Sequence, residues 1–445
     1  MLVNPSEQII ELLKLQQDVG YIGEPLSQLA HALQCADFAA QEDADECLIL
    51  AALLHDIGHF CDPRAGAMLA DGIDFGVHRH EAVGAEYLRL SGLDETIATL
   101  VEQHVNAKRY LVATRPAYAA KLSAASQQTL AFQGGPMLAD EMLAFEQQAR
   151  FTDILKLRAW DEAAKRLDVS LPPVSHYSAM LRRNKTQRLS MAELAFFATN
   201  GYLHIKDWFN ATEVAAICAE VAQLQALPDS PGKWMKYYEH TARGKQLCRI
   251  ENFLPYQPRL ERLARGRSTL GLISELMGES AVLFKEKLNL KLAAGNGFAA
   301  HQDAPAFTSF DQHYHITMML SVDETTKANG CLEVASGAHL KGLLAMNPDL
   351  TMTQTAIDQL SWQSVETQPG DLLLFDSYLP HRSAMNDTDR ARRALYITYN
   401  RQGEGGDVRD AYFSAKRAAF PPENERQPGM VYTGGVFNVG NPVDK

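Results

Sequence analysis

Two separate sets of residues have the types and spacing of metal ligands. The first set comes from the first 170 residues and comprises His31, His55, Asp56, His80, His104 and Asp161. Imidazole and carboxylate groups suit first-row transition metals. His55 and Asp56 lie within the apolar run of residues 53–58 (LLHDIG), and burying them there costs free energy unless they are bound. The six groups therefore predict a site for two ions bridged by the Asp56 carboxylate, although each histidine taken alone also fits an ordinary core or surface residue.

The second set is the His-x-Asp pair of His301 and Asp303 with the distant His381. This is the pattern of a facial triad, which holds Fe(II) and leaves coordination positions open. Arg392 lies eleven residues after His381, where an iron enzyme that uses 2-oxoglutarate needs a cation for the far carboxylate. The nearby Arg390 and Arg393 are competitors for that role, and the spacing favours Arg392.

Different elements must position the two sets. Apolar residues recur at three- and four-residue spacing in residues 24–40, 44–60, 78–90, 94–111 and 151–167, which predicts helices without intervening strands. Facing helices of a bundle commonly build metal sites of this kind. Residues 191–199 and 211–224 are also predicted helices. Short strands are then predicted at 281–292, 313–322, 330–334, 371–375 and 394–400, a pattern typical of a β-sandwich or jelly roll.

The chain is long enough for two hydrophobic cores, and its pattern changes near residue 182. A length of 445 residues exceeds what one core normally supports. The polar run at 182–188 (RRNKTQR) follows Pro172 and Pro173 and resembles a linker. We expect a multidomain protein: an all-α domain at 1–182, a linker at 183–190 and a mostly-β domain at 191–445.

Composition argues against several classes of partner. The net charge of −12 does not favour nucleic-acid binding, and the longest apolar runs are too short to cross a membrane. Six scattered cysteines without a CxxC pair, and an N-terminus without a secretory pattern, favour a cytoplasmic location. The sequence does not indicate the oligomeric state.

The segment at residues 54–59 (LHDIGH), with His31 upstream and His80 downstream, resembles the HD superfamily. Most members of that superfamily are phosphohydrolases. The full six-ligand set and the segment at 21–29 (YIGEPLSQL) resemble its small branch of mixed-valent di-iron oxygenases, such as inositol oxygenase and the PhnZ-type phosphonate oxygenases. This resemblance implies a helical HD-domain bundle with two Fe ions, Fe(II) and Fe(III). The resemblance also implies that Tyr21 caps one iron and that Glu24 helps to release Tyr21 from that iron when substrate binds.

Spacing supplies candidate substrate contacts in the same domain. Lys108 lies four residues after His104 and Arg158 three residues before Asp161, so each cation shares a helix face with a ligand. Two such cations suit a phosphonate or phosphate group, although a solvated helix face is the alternative. His59 shares a face with His55 and offers a further donor. Ser123 and Ser126 are additional candidates, and the ligand types alone do not separate a phosphohydrolase from an oxygenase.

The second half of the chain resembles the phytanoyl-CoA hydroxylase family between about residues 190 and 400. The resemblance includes residues 329–339 (NGCLEVASGAH) and 201–205 (GYLHI), with Ala338 where the family more often has serine. It implies a double-stranded β-helix of the jelly-roll or cupin type with flanking helices, one Fe(II), 2-oxoglutarate and O2. One polar residue of the preceding strand is expected to assist 2-oxoglutarate. The residues do not decide among Lys285, Lys287, Asn289 and Lys291, and we name Lys291 as the candidate.

Together the two resemblances imply consecutive reactions on a small organophosphonate. A 2-oxoglutarate enzyme inserts hydroxyl at a C–H bond, and a PhnZ-type oxygenase cleaves the C–P bond of a 1-hydroxyphosphonate. The implied scheme hydroxylates C1 of 2-aminoethylphosphonate in the C-terminal domain and releases glycine and phosphate in the N-terminal domain. Two alternatives stay open: an N-methylated aminoethylphosphonate as substrate, or an HD phosphohydrolase fused to an unrelated hydroxylase.

Overall fold

The computed structural model describes residues 5–21, 24–70, 73–307 and 310–439, and the chain divides into two compact units, Met1–Gln187 and Arg188–Lys445. The division falls inside the segment predicted as a linker. That segment is not an exposed connection, because Arg183 and Asn184 are buried in the first unit, where both donate to the carboxylate of Glu46. On the other side of the division, Arg188 donates to Glu275 in the second unit. The sequence predicts a linker here, whereas Arg183, Asn184 and Arg188 bind carboxylates within their own units.

The first unit is a helical bundle. Its helices are α1 (Pro5–Lys14), α2 (Gln28–Gln41), α3 (Glu46–Leu54), α4 (His80–Leu90), α5 (Glu95–Thr114), α6 (Pro116–Ala119), α7 (Ala124–Phe132), α8 (Ala139–Glu146), α9 (Phe151–Ala163) and α10 (Ser178–Arg183). Side-chain caps start several of them: Ser27 accepts from the backbone N–H of Ala30, and Asp45 from that of Leu48. Helix α3 is apolar on every side and lies at the centre of the core, as an all-round hydrophobic helix must.

Helix ends near the predicted metal ligands differ from the sequence prediction. Helix α3 ends at Leu54, so His55 and Asp56 follow its last turn and do not lie within a helix. Helix α4 begins at His80, because Arg79 has a left-handed backbone conformation with φ of 57°. The prediction of an uninterrupted helical domain is wrong, since an antiparallel hairpin of β1 (Ala67–Ala70) and β2 (Ile73–Val77) separates these helices. The hairpin was missed because strands this short show no clear alternation of apolar and polar residues.

The second unit is a double-stranded β-helix, as predicted. Its strands are β3 (Tyr202–Ile205), β4 (Met235–Thr241), β5 (Gly244–Glu251), β6 (Ala281–Lys291), β7 (Phe298–His301), β8 (His315–Ser321), β9 (Leu332–Val334), β10 (Gln363–Val365), β11 (Leu372–Asp376), β12 (His381–Ser383) and β13 (Arg392–Arg401). They form a seven-stranded antiparallel sheet in the order β3-β11-β8-β13-β6-β5-β4 and a four-stranded sheet in the order β10-β9-β12-β7. Side chains such as Met319, Val334 and Phe375 form an apolar cluster contributed by both sheets.

Helices flank this double sheet. They are α11 (Met191–Asn200), α12 (Ala211–Ala226), α13 (Pro258–Arg265), α14 (Arg267–Met277), α15 (Gln354–Asp358) and α16 (Arg409–Ala419). Apolar residues of α12, α13 and α14 share a core with the outward-facing Leu288 and Leu290 of β6. The alternation of β6 therefore leaves the polar side chains of Lys285, Lys287 and Lys291 on the opposite, inner face. In the part of the chain that the structure describes, no helix combines the length and apolar character needed to span a membrane.

Candidate metal centres and their pockets

The carboxylate of Asp56 lies at the centre of the first constellation, and its two oxygens face different histidines. Oδ2 is 3.4 Å from His55 Nε2 and 3.8 Å from His31 Nε2. Oδ1 is 3.4 Å from His80 Nε2 and 3.8 Å from His104 Nε2. A carboxylate flanked by nitrogens on both sides has the geometry needed to bridge two ions.

Asp161 completes one of the two groups. Its Oδ1 is 3.4 Å from His31 Nε2 and 3.8 Å from His55 Nε2. We call His31, His55 and Asp161 with Asp56 Oδ2 the first metal group, and His80 and His104 with Asp56 Oδ1 the second metal group. All six side chains predicted as ligands are buried.

Backbone carbonyls orient the imidazoles of these groups. Three rings place Nδ1 at hydrogen-bond distance from a carbonyl oxygen: His31 from Ala164 at 2.9 Å, His55 from Ala52 at 2.9 Å and His104 from Val101 at 2.7 Å. A proton held at Nδ1 leaves the lone pair on Nε2, which in each ring faces the carboxylates. This outer hydrogen bonding is typical of metal-binding histidines, and the donor set fits a pair of transition-metal ions.

The protonation states also suit cations. Burial opposes ionisation of Asp56, but the neighbouring His55 and His80 hold its pKa well below the usual range. Burial, together with His80 and His55, lowers the pKa of His104 to about 3, so that ring is neutral. Against burial, the carboxylates of Asp56 and Asp161 raise the pKa of His55 to about 9. Metal binding by His55 would therefore be coupled to the release of a proton.

Tyr21 covers the first metal group, whereas Glu24 is turned towards another partner. The Tyr21 ring stacks on His31 with centroids 3.9 Å apart, and its hydroxyl donates to Asp161 Oδ1 at 3.5 Å. Glu24 Oε1 accepts from Lys165 Nζ at 2.6 Å. Ile22 and Gly23, which complete the predicted loop motif, lie outside the described residues.

A cavity of about 80 Å³ adjoins both metal groups. Lys108 lies in its wall, where Nζ donates to Thr129 Oγ1 at 2.7 Å and to Gln133 Oε1 at 2.9 Å. Burial and the nearby Arg158 lower the pKa of Lys108 to about 7. Ser123 and Ser126 line the same cavity at the start of α7.

His59 presents a donor to this cavity. Its Nδ1 accepts from the backbone N–H of Val77 at 3.0 Å, and its ring stacks on that of His80. Burial and His80 lower the pKa of His59 to about 3, so the ring is neutral and carries its proton on Nε2. That N–H points towards Asp56 Oδ1, 4.0 Å away.

The shared helix face with Asp161 predicts that Arg158 offers its guanidinium to an anion. Arg158 does line the cavity, but its donors are engaged by protein groups. Its Nη1 donates to Asp161, its Nη2 to Glu162 and its Nε to the Tyr118 hydroxyl at 2.9 Å. Burial of the Asp161 carboxyl would raise its pKa, but the guanidinium of Arg158 helps to hold that pKa well below the usual range. Arg158 therefore positions a predicted ligand, and only part of its donor capacity remains for a substrate.

Sequence reasoning missed other residues of this pocket. Thr129 on α7 and Gln133 directly after its last turn follow Ser126 at three- and seven-residue spacing, a helical periodicity that would have identified them. Cys35, one turn after His31, places Sγ 3.8 Å from His31 Nε2. Scattered cysteines without a CxxC pair have no ligand spacing, so the sequence does not predict this neighbour of the first metal group.

The second constellation lies where two short strands meet. His301 ends β7 and His381 begins β12, and the two residues are register partners with ring centroids 4.3 Å apart. Asp303 Oδ1 is 3.8 Å from His301 Nε2, and the three potential ligand atoms lie within 4.8 Å of one another. Both rings place Nδ1 near a carbonyl, His301 at Ala299 and His381 at Leu379. This buried arrangement fits a single metal ion.

Arg392 and Lys291 are register partners on β13 and β6, and both are buried. Arg392 Nη2 lies 3.3 Å from the Tyr396 hydroxyl, and its buried Nε has no hydrogen-bond partner in the described residues. Such unsatisfied donors suit a carboxylate. Lys291 instead donates to Ser383 Oγ at 2.8 Å and to the carbonyl of Ala384. Burial and Arg392 lower its pKa to about 6, so Lys291 stands beside the anion position with its donors already in use.

The two competitors of Arg392 are turned elsewhere. Arg393 is paired with Asp323 through Nη2 at 2.8 Å, and Arg390 is exposed.

Comparisons with known proteins match each unit separately. The family model described as "Phytanoyl-CoA dioxygenase (PhyH)" matches residues 197–394, and that described as "HD domain" matches residues 25–131. A "2-aminoethylphosphonate dioxygenase" from Uncultured bacterium HF130_AEPn_1 is 48% identical over 55% of this chain and 94% of its own length. A "Methylphosphonate hydroxylase" from Gimesia maris is 37% identical over 52% of this chain and 88% of its own. A "[1-hydroxy-2-(trimethylamino)ethyl]phosphonate dioxygenase (glycine-betaine-forming)" from Leisingera caerulea is 42% identical over 37% of this chain and 83% of its own.

Proposed function

The chain belongs to the phytanoyl-CoA dioxygenase (PhyH) family and carries an HD domain, and from that premise we propose that it degrades an organophosphonate in two oxidative steps. It is an oxidoreductase of the dioxygenase class, with relatives that act on phosphonates. In the proposed scheme the second unit hydroxylates C1 of 2-aminoethylphosphonate. The first unit then cleaves the C–P bond of 1-hydroxy-2-aminoethylphosphonate to glycine and phosphate.

One observation supports this proposal: the chain matches two kinds of relative, and these are named for consecutive reactions. A relative matched over 248 residues, close to the length of the second unit, is named for a phosphonate without a hydroxyl group. Another, matched over 166 residues, close to the length of the first unit, is named for a 1-hydroxyphosphonate. The product of the first kind of reaction belongs to the substrate class of the second.

In the second unit, His301, Asp303 and His381 would hold Fe(II), and Arg392 would bind the far carboxylate of 2-oxoglutarate. The bound Fe(II) and 2-oxoglutarate supply, with O2, the oxidant for the C–H bond. Lys291, held by Ser383, stands beside Arg392 and adds positive charge next to the carboxylate when it is protonated. The reaction balances because 2-oxoglutarate gives succinate and CO2, with one oxygen atom in succinate and one in the new hydroxyl.

In the first unit, the two metal groups would hold a mixed-valent pair of iron ions that supplies the oxidant for C–P cleavage. Lys108, Ser123 and Ser126 would bind the phosphonate oxygens in the adjoining cavity, and the neutral His59 would donate a hydrogen bond from its Nε2–H to the bound substrate. The reaction consumes one O2 and gives glycine and phosphate without an external reductant. It therefore needs no further cofactor.

Tyr21 and Glu24 have a proposed role in admitting substrate. Tyr21 stacks over His31 and shields the first metal group, so its displacement would open a coordination position. Glu24 is held by Lys165, and Lys165 also lines the cavity. A substrate anion that attracts Lys165 would free Glu24 to act on Tyr21.

The activity for which the Leisingera caerulea relative is named favours one alternative substrate, an N-methylated aminoethylphosphonate. The two substrates differ in the charged end of the molecule, since a trimethylammonium group cannot donate hydrogen bonds. Comparing kcat/KM for phosphate release from the two hydroxylated compounds decides between them, and the scheme predicts a preference for the primary amine.

Two variants test the division of labour. Asp303→Ala should stop hydroxylation of 2-aminoethylphosphonate while phosphate release from the added hydroxylated compound continues. Asp56→Ala should do the reverse and accumulate the hydroxylated compound, which phosphorus NMR detects directly. Phosphate release from 2-aminoethylphosphonate by Asp303→Ala would refute the scheme. If the first unit instead bound redox-inert metal and hydrolysed phosphate esters, it would be a phosphohydrolase.

A further inference from the structure

The inner face of the seven-stranded sheet carries a cluster of four cations beside the triad, and three of them, Arg249, Lys285 and Lys416, are buried. Arg249 comes from β5, Lys285 and Lys287 from β6, and Lys416 from α16; we call these four the cationic cluster. Lys285 and Lys287 lie on one face because strand side chains alternate. The register places Arg249 opposite Asn289 and Glu251 opposite Lys287, so the neighbouring strands bring these residues side by side.

The cluster contains more basic than acidic side chains. Glu251 accepts from Lys416 Nζ and, at 3.4 Å, from Arg249 Nη1, so one carboxylate faces two cations. Lys285 Nζ is 3.4 Å from the Tyr412 hydroxyl and lies over the Phe307 ring, but it has no carboxylate partner among the described residues. Lys287 Nζ lies 5.3 Å from the Tyr396 ring centroid and makes no hydrogen bond in the described part of the chain. Cations that outnumber the carboxylates around a largely buried position are costly, which points to an anion as the missing component.

This cluster lies next to the triad. Lys285 Nζ lies 4.2 Å from the centroid of the Phe307 ring, and Phe307 follows the short 3-10 turn (Ala304–Ala306) that begins directly after Asp303. A molecule held by the lysines would therefore lie near the metal position.

The cationic cluster is separate from the position assigned to 2-oxoglutarate. Lys291 is the last residue of β6, four residues beyond Lys287, and Arg392 on β13 is its register partner. At the rise of a strand, four residues span roughly 13 Å and the six residues from Lys285 roughly 20 Å. Two anions can thus bind along β6 at the same time, one near the middle of the strand and one at its end.

We propose that Arg249, Lys285 and Lys287 bind the phosphonate group of the substrate hydroxylated by the second unit. Three cations around one position suit a tetrahedral group with three oxygens and two negative charges better than a planar carboxylate. Anchoring phosphorus there keeps C1, the atom bonded to it, close to the triad. Lys416 and Glu251 position Arg249. This assignment rests on the proposed function and names the binding residues for its first step.

Lys236, the neighbour of Tyr237 on β4, provides a matched control. Its Nζ donates to the carbonyls of Gln225, at 3.0 Å, and Leu227 at the end of α12, so it does not belong to the cluster. Lys236→Met removes a buried cation from the same sheet without changing the proposed phosphonate position.

The test measures phosphonate binding to the second unit of the full-length protein loaded with Fe(II) and 2-oxoglutarate under argon. The change in the visible absorption band of the Fe(II)–2-oxoglutarate complex reports this unit alone. With 2-aminoethylphosphonate or methylphosphonate as probe, Lys285→Met and Lys287→Met should each weaken binding by about tenfold or more, the loss of one hydrogen bond to a charged group. Arg249→Lys should bind more tightly than Arg249→Met. The Kd of 2-oxoglutarate should change less than about threefold.

Thermal unfolding gives an independent readout. Because Lys287 has no carboxylate partner in the described residues, Lys287→Met should keep or raise the Tm of the second unit, whereas a lysine needed only for structure would lower it on removal. The assignment is refuted if wild-type protein binds phosphonates and both lysine variants bind them with the wild-type Kd. If wild-type protein binds 2-oxoglutarate but no phosphonate, the proposed function itself fails, and this assignment with it.

Discussion

Lys108 offers a sharp test of the phosphonate pocket in the first unit. Its ammonium group is buried in the cavity wall and donates to Thr129 and Gln133. Among the described residues, no carboxylate forms an ion pair with it. The pKa of about 7 means that half of the empty sites carry the charge at neutral pH. A phosphonate dianion favours the charged form, so substrate and proton should bind together.

The expected magnitude follows from this contact. Removing one hydrogen bond to a charged group costs about 1.5–3 kcal/mol, so Lys108→Met should lower kcat/KM by about 10- to 150-fold. The pKa of about 7 is lower than the ordinary value of 10.5, so the free site loses its positive charge as pH rises through 7. Wild-type kcat/KM should therefore fall by about tenfold per pH unit above 7, and this descent should be absent from Lys108→Met.

The assay is phosphate release from 1-hydroxy-2-aminoethylphosphonate in air without 2-oxoglutarate, so that only the first unit turns over. Lys121→Met is the control, because Lys121 is an exposed cation of the same unit that does not line the cavity. Its kcat/KM should match that of the wild type. An unchanged kcat/KM in Lys108→Met, or the same descent with pH in both proteins, would show that Lys108 does not bind the phosphonate.

Three further predictions follow from the same contacts. Arg392→Met should raise the KM for 2-oxoglutarate by about 100-fold, the effect of losing charge-assisted hydrogen bonds, while Arg393→Met changes it less than about threefold; equal effects would contradict the assignment. Metal analysis should find about three irons per chain, with two lost in Asp56→Ala and one in Asp303→Ala; any other division would count against the ligand sets. Arg183→Met should lower the free energy of unfolding of the first unit by about 2 kcal/mol, because Arg183 is buried while its partner Glu46 is partly exposed. The exposed pair of Arg64 and Asp62 is its control, and denaturant titration should show less than about 0.5 kcal/mol for Arg64→Met.

The two-unit architecture and the grouping of the candidate ligands could be predicted from the sequence. Helical periodicity and the switch to short strands reflect which faces are buried, and this is a local property. The HD and His-x-Asp segments are also local, so they indicate which distant histidines to look for. The structure brings those side chains together around Asp56 and at the meeting of β7 and β12.

What could not be predicted depends on contacts between distant residues. The spacing of Arg158 and Asp161 on one helix face predicts that Arg158 lies beside the cavity. It does not predict the hydrogen bonds of Arg158 to Glu162 and Tyr118. Residues 183–190 have the polar composition of a linker, and only the packed structure shows Arg183 bound to Glu46. The cationic cluster joins Arg249 and Lys416, residues remote in sequence, to the lysines of β6, and no local pattern links them.

The central claim is that one chain carries out both oxidations in order, and the stoichiometry of the complete reaction tests it most directly. Wild-type protein with Fe(II), 2-oxoglutarate and 2-aminoethylphosphonate should consume two molecules of O2 for each molecule of succinate, phosphate and glycine formed. Phosphate formed without succinate, or succinate formed without phosphate at one O2 per turnover, would contradict the account.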